Sequence, residues 1–179
     1  MILFLDTEWA DVFSVEFQLV SIGLVSLDER YQWYAECDPL PMVVPDFVKR
    51  VVYPLLERGA CAMSSSLMGE SLRAFIDRVA METGETPTVA YDFWNDRAMF
   101  FEAWCGSFGD HAERPPPVQW FDLNSLNPHY ANGFERYFAE CADERTRRHH
   151  ALVDARAARA GYLHAIRCLA MGAPDAVVS

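Results

Sequence analysis

A short apolar run that stops abruptly at two acidic residues constrains this chain more than any other feature. Ile2-Leu3-Phe4-Leu5 has no polar interruption, as a strand buried on both faces requires, and it ends in Asp6-Thr7-Glu8. Side chains alternate along a strand, so Asp6 and Glu8 share a face and lie roughly 7 Å apart. Two carboxylates at the end of a buried strand are costly unless a cation neutralises them. They read as metal ligands in preference to groups that cap a turn.

A second stretch, Arg148-His149-His150-Ala151-Leu152-Val153-Asp154-Ala155-Arg156, complements the first. On one helix His149 and Asp154 would stand about 140° apart around the axis, so a shared site requires His149 to precede the helix and Asp154 to lie in its first turn. A carboxylate is favoured there by the helix dipole, and a histidine on the preceding loop can swing over whatever that carboxylate holds. Along the helix, Leu152, Ala155, Tyr162, Ile166 and Leu169 form an apolar stripe. Beside it Ala151, Asp154, Ala158, Gly161, Ala165 and Cys168 make a thin face able to approach a sheet closely. The plain alternative is a solvated polar run before a helix whose N-terminus Asp154 merely stabilises; the acidic pair at the start of the chain weighs against it.

Between these ends the pattern predicts further strands at Phe17–Val25 and Tyr31–Cys37, joined by links too short for crossover helices and hence an antiparallel meander. A polar turn is expected around Ala10-Asp11. Helices are expected from Asp46 to Glu57, stopped near Gly59, and from Leu67 to Met81. Thr86–Tyr91 reads as a strand reached by a helical crossover and so parallel to the first. A helix from Asp96 to about Trp104, a strand at Val118–Asp122, a short helix after it, another through Phe134–Ala139 and a last helix from Ala151 to Met171 complete the pattern, with a mobile tail from Gly172. The class is α/β: one domain over residues 1–179, with a mixed five-stranded sheet, three antiparallel strands then two parallel, and helices on both faces.

Composition narrows the function. A net charge of −11 argues against a protein that tracks long nucleic-acid backbones through a basic stripe, though not against one that grips a short end through metal ions. The five cysteines never fall in a C-x-x-C spacing, so neither a zinc site nor a disulfide framework is indicated. No segment approaches the ~20 apolar residues that span a bilayer, and no basic signal region opens the chain, so a cytoplasmic protein without a membrane partner is expected.

Ligands of such a sheet gather at the carboxyl ends of its parallel strands. Asp6, Glu8, Asp96, Asp154 and His149 are therefore expected on one rim. Four carboxylates suit hard cations such as Mg²⁺ or Mn²⁺ better than zinc, and two such ions ~4 Å apart can clamp a phosphodiester. His149 has the reference pKa, about 6.5, of a general base at working pH.

The order Asp6-x-Glu8, then Asp96, then His149-x-Ala151-Leu152-x-Asp154-Ala155 resembles the DEDDh group of DnaQ-like 3′-to-5′ exonucleases, most of all the small stand-alone bacterial exoribonucleases. Leu3 to Glu8, Leu19 to Val25, Ala90 to Asp96 and His149 to Arg156 carry the match. The resemblance implies a ribonuclease H-like fold, two Mg²⁺ or Mn²⁺ ions held by Asp6, Glu8, Asp96 and Asp154, and His149 as base. It also implies single-stranded RNA 3′ ends as substrate, with DNA as the alternative, and a homodimer. Asp92 stands where many relatives have asparagine and His150 adjoins His149; each is an alternative to Asp96 and His149, which the spacing favours.

Trp9, Phe13, Phe93 and Trp94 are candidates to stack on terminal bases, with core or rim packing as the plain alternative for each. Arg97, Arg147 and Arg148 are candidates for phosphate contacts or for ordinary charge balance beside an acidic rim. A haloacid-dehalogenase-type phosphatase needs Asp-x-Asp and a later lysine. The only lysine, Lys49, follows no strand end, which argues against that class. A non-catalytic nucleic-acid-end or protein-binding module on the same scaffold is the rival from another class; all five expected residues are present, which argues against it.

Overall fold

The structure is a computed structural model that describes residues 1–12, 16–106 and 115–172. Its centre is the strand that opens the chain. β1 (Ile2–Val12) pairs antiparallel with β2 (Glu16–Ser26), which pairs antiparallel with β3 (Gln32–Cys37). β5 (Thr88–Tyr91) lies parallel to β1 on its other side, and β6 (Gln119–Asp122) lies parallel to β5. A sixth strand, β4 (Ala62–Met63), adds parallel to the outer edge of β3, giving the order β4-β3-β2-β1-β5-β6. The expected five strands are thus six, because two residues are too few to show an alternating pattern.

Alternation along β1 distributes the helices. Leu3 and Leu5 face a core with α1 (Ser65–Thr83) and α2 (Trp94–Cys105), through Leu72, Phe75, Ile76, Met99 and Phe100. Phe4 faces the other way, toward α3 (His129–Glu140) and α5 (Ala151–Met171), through Tyr130, Ala155 and Ala158. A four-residue helix, α4 (Ala142–Arg145), links the last two. The mixed sheet with helices on both faces agrees with expectation and is compatible with a ribonuclease H-like fold.

Three expectations are corrected. β1 does not end at Glu8 or turn at Ala10-Asp11; it continues to Val12 through a register shift against β2 between Glu8 and Trp9, a bulge that re-aims the strand. The helix expected from Asp46 to Glu57 is a wide turn, Val48–Val52, followed by a 3₁₀ turn, Tyr53–Leu55. Pro54 has no N–H to continue an α-helical ladder, so amphipathic spacing alone misleads there. On α5, Ile166 and Leu169 of the anticipated apolar stripe are 41% and 54% exposed, while the thin face is buried as expected, apart from the half-buried Cys168. The sheet and α3 come too close for large side chains. A Cβ on Gly23 would fall 2.5 Å from the Leu152 nitrogen, and one on Gly133 would fall 2.9 Å from Gly161 Cα.

No helix among the described residues is long and apolar enough to cross a membrane. Phe13 and the tail 173–179 lie outside the described residues.

Candidate metal centre

β1 outruns its parallel neighbour, since pairing with β5 covers Ile2 to Phe4, and it carries Asp6 and Glu8 past the end of that strand. Both point to the α5 side. Asp6 lies opposite Gly23, whose missing side chain lets the first turn of α5 settle over the strand. Thr7 points to the other side and meets α2. Its hydroxyl and its N–H donate to one Asp96 oxygen, Oδ1, at 2.6 and 3.2 Å, while the Phe93 N–H donates to Oδ2 at 3.2 Å. Asp96, in the third position of α2, reaches back to the N–H of Phe93, the residue before the helix. The local rule that starts the helix therefore also orients the carboxylate.

Asp154 sits in the first turn of α5, 6% exposed, and its Oδ2 accepts the His149 N–H at 3.1 Å. His149 precedes the helix, as expected, with a left-handed φ of 73° that side-chain-bearing residues seldom adopt. Ligand atoms then fall into two groups, each with all its members within 4.8 Å of one another: Glu8, His149 and Asp154 in one, Asp6, Asp92 and Asp96 in the other.

Crowding dominates the electrostatics. Burial raises the Asp6 carboxyl well above the usual range, and Asp154, Asp96, Glu8 and Asp92 add repulsion. Burial likewise raises Glu8, with Asp154 and Asp96 as the neighbouring charges. Burial pushes Asp96 and Asp154 up to about 7, against the hydrogen bonds from Thr7 and from the His149 N–H respectively. His149 moves the other way, lowered by burial and then by Arg148, which favours the neutral imidazole. Asp6 Oδ2 and Asp154 Oδ1 are buried with no hydrogen-bond donor. Such orphaned carboxylate oxygens, in a donor set of carboxylates with one imidazole nitrogen, fit a hard divalent cation.

Asp92 joins this cluster, with its own hydrogen bond from the Tyr130 hydroxyl at 2.7 Å and a carboxyl raised by burial. It stands beside Asp96 and does not replace it. His150 turns away: 1% exposed, it stacks on Tyr34 at 4.4 Å between centroids. Trp9 and Phe93 stack at 6.3 Å and 9° beside the carboxylates, and Phe93 and Trp94 are 51% and 61% exposed. Arg97 lies over the face of Trp120 at 5.1 Å, Arg148 pairs with Glu135 at 2.7 Å, and Arg147 pairs with Glu57 at 2.8 Å. Reading residues by type alone overlooked Thr7, Tyr130 and Phe47, whose ring meets His149 edge-on at 5.0 Å. Thr7 had a signal, since a residue between two same-face ligands must face the opposite element.

The rim of acidic side chains at the end of the parallel strand pair is compatible with binding a divalent metal ion. The chain is similar in fold to a solved structure of a 3′-exonuclease in 3′-end-specific recognition of a histone mRNA stem-loop, with a TM-score of 0.57 and 15% identity. The likeness covers 96% of this chain, which spans 64% of that one. No family model matches the sequence, and no characterised protein matches it in sequence.

Proposed function

We propose that this protein is a metal-dependent 3′-to-5′ exoribonuclease that shortens single-stranded RNA or short overhangs from the 3′ end. The observation that carries the reading is the meeting of Asp6, Glu8, Asp96 and Asp154 with His149 in two ligand groups. The fold shared with a 3′-exonuclease supports it. Two Mg²⁺ or Mn²⁺ ions bound by these residues would supply Lewis-acid activation of water and would neutralise charge on the scissile phosphate.

The chain's own groups do the rest. Thr7 holds Asp96 in one orientation, and the His149 N–H does the same for Asp154. His149 accepts the proton of the attacking water on its imidazole, a role suited to a base whose neutral form burial favours. The Trp9–Phe93 pair and the exposed Trp94 offer stacking surfaces for the terminal bases, each contact worth about 1–3 kcal/mol. Arg97 would reach a phosphate only by leaving Trp120. The net charge of −11 leaves affinity for the strand to the bound cations and to stacking, and pairing into a homodimer would extend that surface.

Digestion of 5′-labelled single-stranded RNA and DNA of matched sequence, with Mg²⁺, Mn²⁺ or EDTA, tests this reading. A ladder shortening from the 3′ end, stronger on RNA and absent with EDTA, is expected. Cleavage of DNA alone would move the substrate to DNA, and no cleavage with any cation would leave a binding module.

A further inference from the structure

A second buried polar cluster lies along the same face of the sheet, beyond the metal centre. Glu8, Ser21 and Glu36 are direct cross-strand neighbours on β1, β2 and β3, so the row that begins with a site carboxylate ends at a second carboxylate, fully buried. Glu36 accepts the Tyr34 hydroxyl at 2.8 Å, the Glu57 N–H at 2.6 Å and the Arg58 N–H at 3.0 Å. Nothing proposed for the chemistry uses this carboxylate. Two of its partners, Glu57 and Arg58, belong to the segment between β3 and β4, which Val44, Val48 and Val52 anchor on Ala10 and Val20.

That segment touches the loop of the proposed base at three points. The Arg147 guanidinium donates to Glu57 Oε1 at 2.8 Å, and the same oxygen lies 3.4 Å from His150 Nε2. The His150 ring is closed in beneath by Tyr34, and Phe47 meets the His149 ring itself. Arg147, on one side of the Arg148–His149 link, is thus hydrogen-bonded to a carboxylate oxygen that also lies beside the buried His150 ring on the other side. The nitrogens of that ring have no hydrogen-bond partner among the described residues, and the Glu57 backbone is itself fixed by Glu36. His149 between them holds φ at 73°, a conformation that persists only where its surroundings over-determine it.

We propose that Glu57 is a positioning residue. By holding Arg147 it fixes the left-handed turn at His149 and aims the imidazole at Glu8 and Asp154. The segment between β3 and β4 is then the outer wall of the active site, with Phe47 as its apolar contact and Glu57 as its polar one. The proposal rests on the reading of His149 as the base.

Glu57→Ala and Glu57→Gln, each checked for fold by circular dichroism, test it through two readouts. The first is the His149 imidazole signal in heteronuclear NMR, assigned by its loss in His149→Ala. A single sharp signal in the native protein should broaden or split in Glu57→Ala and return toward native in Glu57→Gln, which still accepts from Arg147. The second is kinetics on a single-stranded oligoribonucleotide, where Glu57→Ala should lower kcat by about ten- to a hundredfold with KM little changed. A native-like His149 signal in Glu57→Ala overturns the proposal. If the native protein cuts no strand, the functional reading fails, while the NMR comparison still decides whether Glu57 orders His149. Should Glu57→Ala not fold, Arg147→Gln breaks the same link from the other side and carries the same comparison.

Discussion

The backbone N–H of His149 donates to the carboxylate of Asp154, joining a loop residue to the first turn of the helix that follows it. One contact thereby fixes both the proposed base and the carboxylate of a proposed metal ligand. Asp154→Asn keeps an acceptor for that N–H but removes the charge. It should retain the fold and lose Mn²⁺ binding by calorimetry, whereas Asp154→Ala should lose the binding and also loosen the loop.

His149→Ala should lower kcat by about 10²- to 10⁴-fold while leaving metal binding through Asp6 and Asp96 measurable. Unchanged kcat in this variant would pass the role of base to another group.

Thr7→Val deletes the hydroxyl that donates to Asp96 at 2.6 Å and leaves the carboxylate 3% exposed with fewer donors. A loss of about 1–3 kcal/mol is expected in denaturant unfolding of the metal-free protein. Because that hydrogen bond opposes the upward shift of Asp96, the variant's carboxyl should titrate higher still. A carboxyl NMR titration that leaves Asp96 in place would show that Thr7 does not hold it.

The metal-free protein should become less stable as pH rises from about 4 to about 7. Over that window the unfolded chain has already released protons that Asp96 and Asp154 retain when folded, since burial lifts both from 3.8 to about 7. The folded state then binds more protons than the unfolded one, so the slope of stability with pH is negative. Saturating Mn²⁺ should cancel the loss, and the rise in Tm on adding it should grow across the same window. A Tm gain independent of pH would mean that the ion binds elsewhere.

Gly23→Ala should be among the most damaging changes outside the carboxylates. Its Cβ would fall 2.5 to 2.6 Å from backbone atoms of Ala151 and Leu152, none of which can rotate away. Displacing the start of α5 should cost about 1–3 kcal/mol in thermal or denaturant unfolding and reduce activity with it. Full activity at native Tm would show that α5 shifts freely.

Much of this architecture is legible in the sequence because hydrophobic period and short links report it directly. The bounds of α5, Ala151 to Met171, coincide with expectation, and β2, β3 and α1 differ by one or two residues at their ends. What periodicity cannot report is how closely two elements approach. The small-residue face of α5 is legible as a face for close approach, but that Gly23 and Gly133 leave the ends of the larger apolar stripe, Ile166 and Leu169, exposed is not. The site carboxylates announce themselves by type and order. Thr7, Tyr130 and Glu57 do not, since each acts through a hydrogen bond that exists only after distant segments meet.

The acidic residues that meet in the centre come from opposite ends of the described chain, Asp6 and Glu8 from its first strand and Asp154 from its last helix. As the chain leaves the ribosome, the opening strand is available long before the helix that completes the centre. A partly synthesised chain that lacks this helix therefore has the group formed by Asp6, Asp92 and Asp96 but not the one that His149 and Asp154 complete.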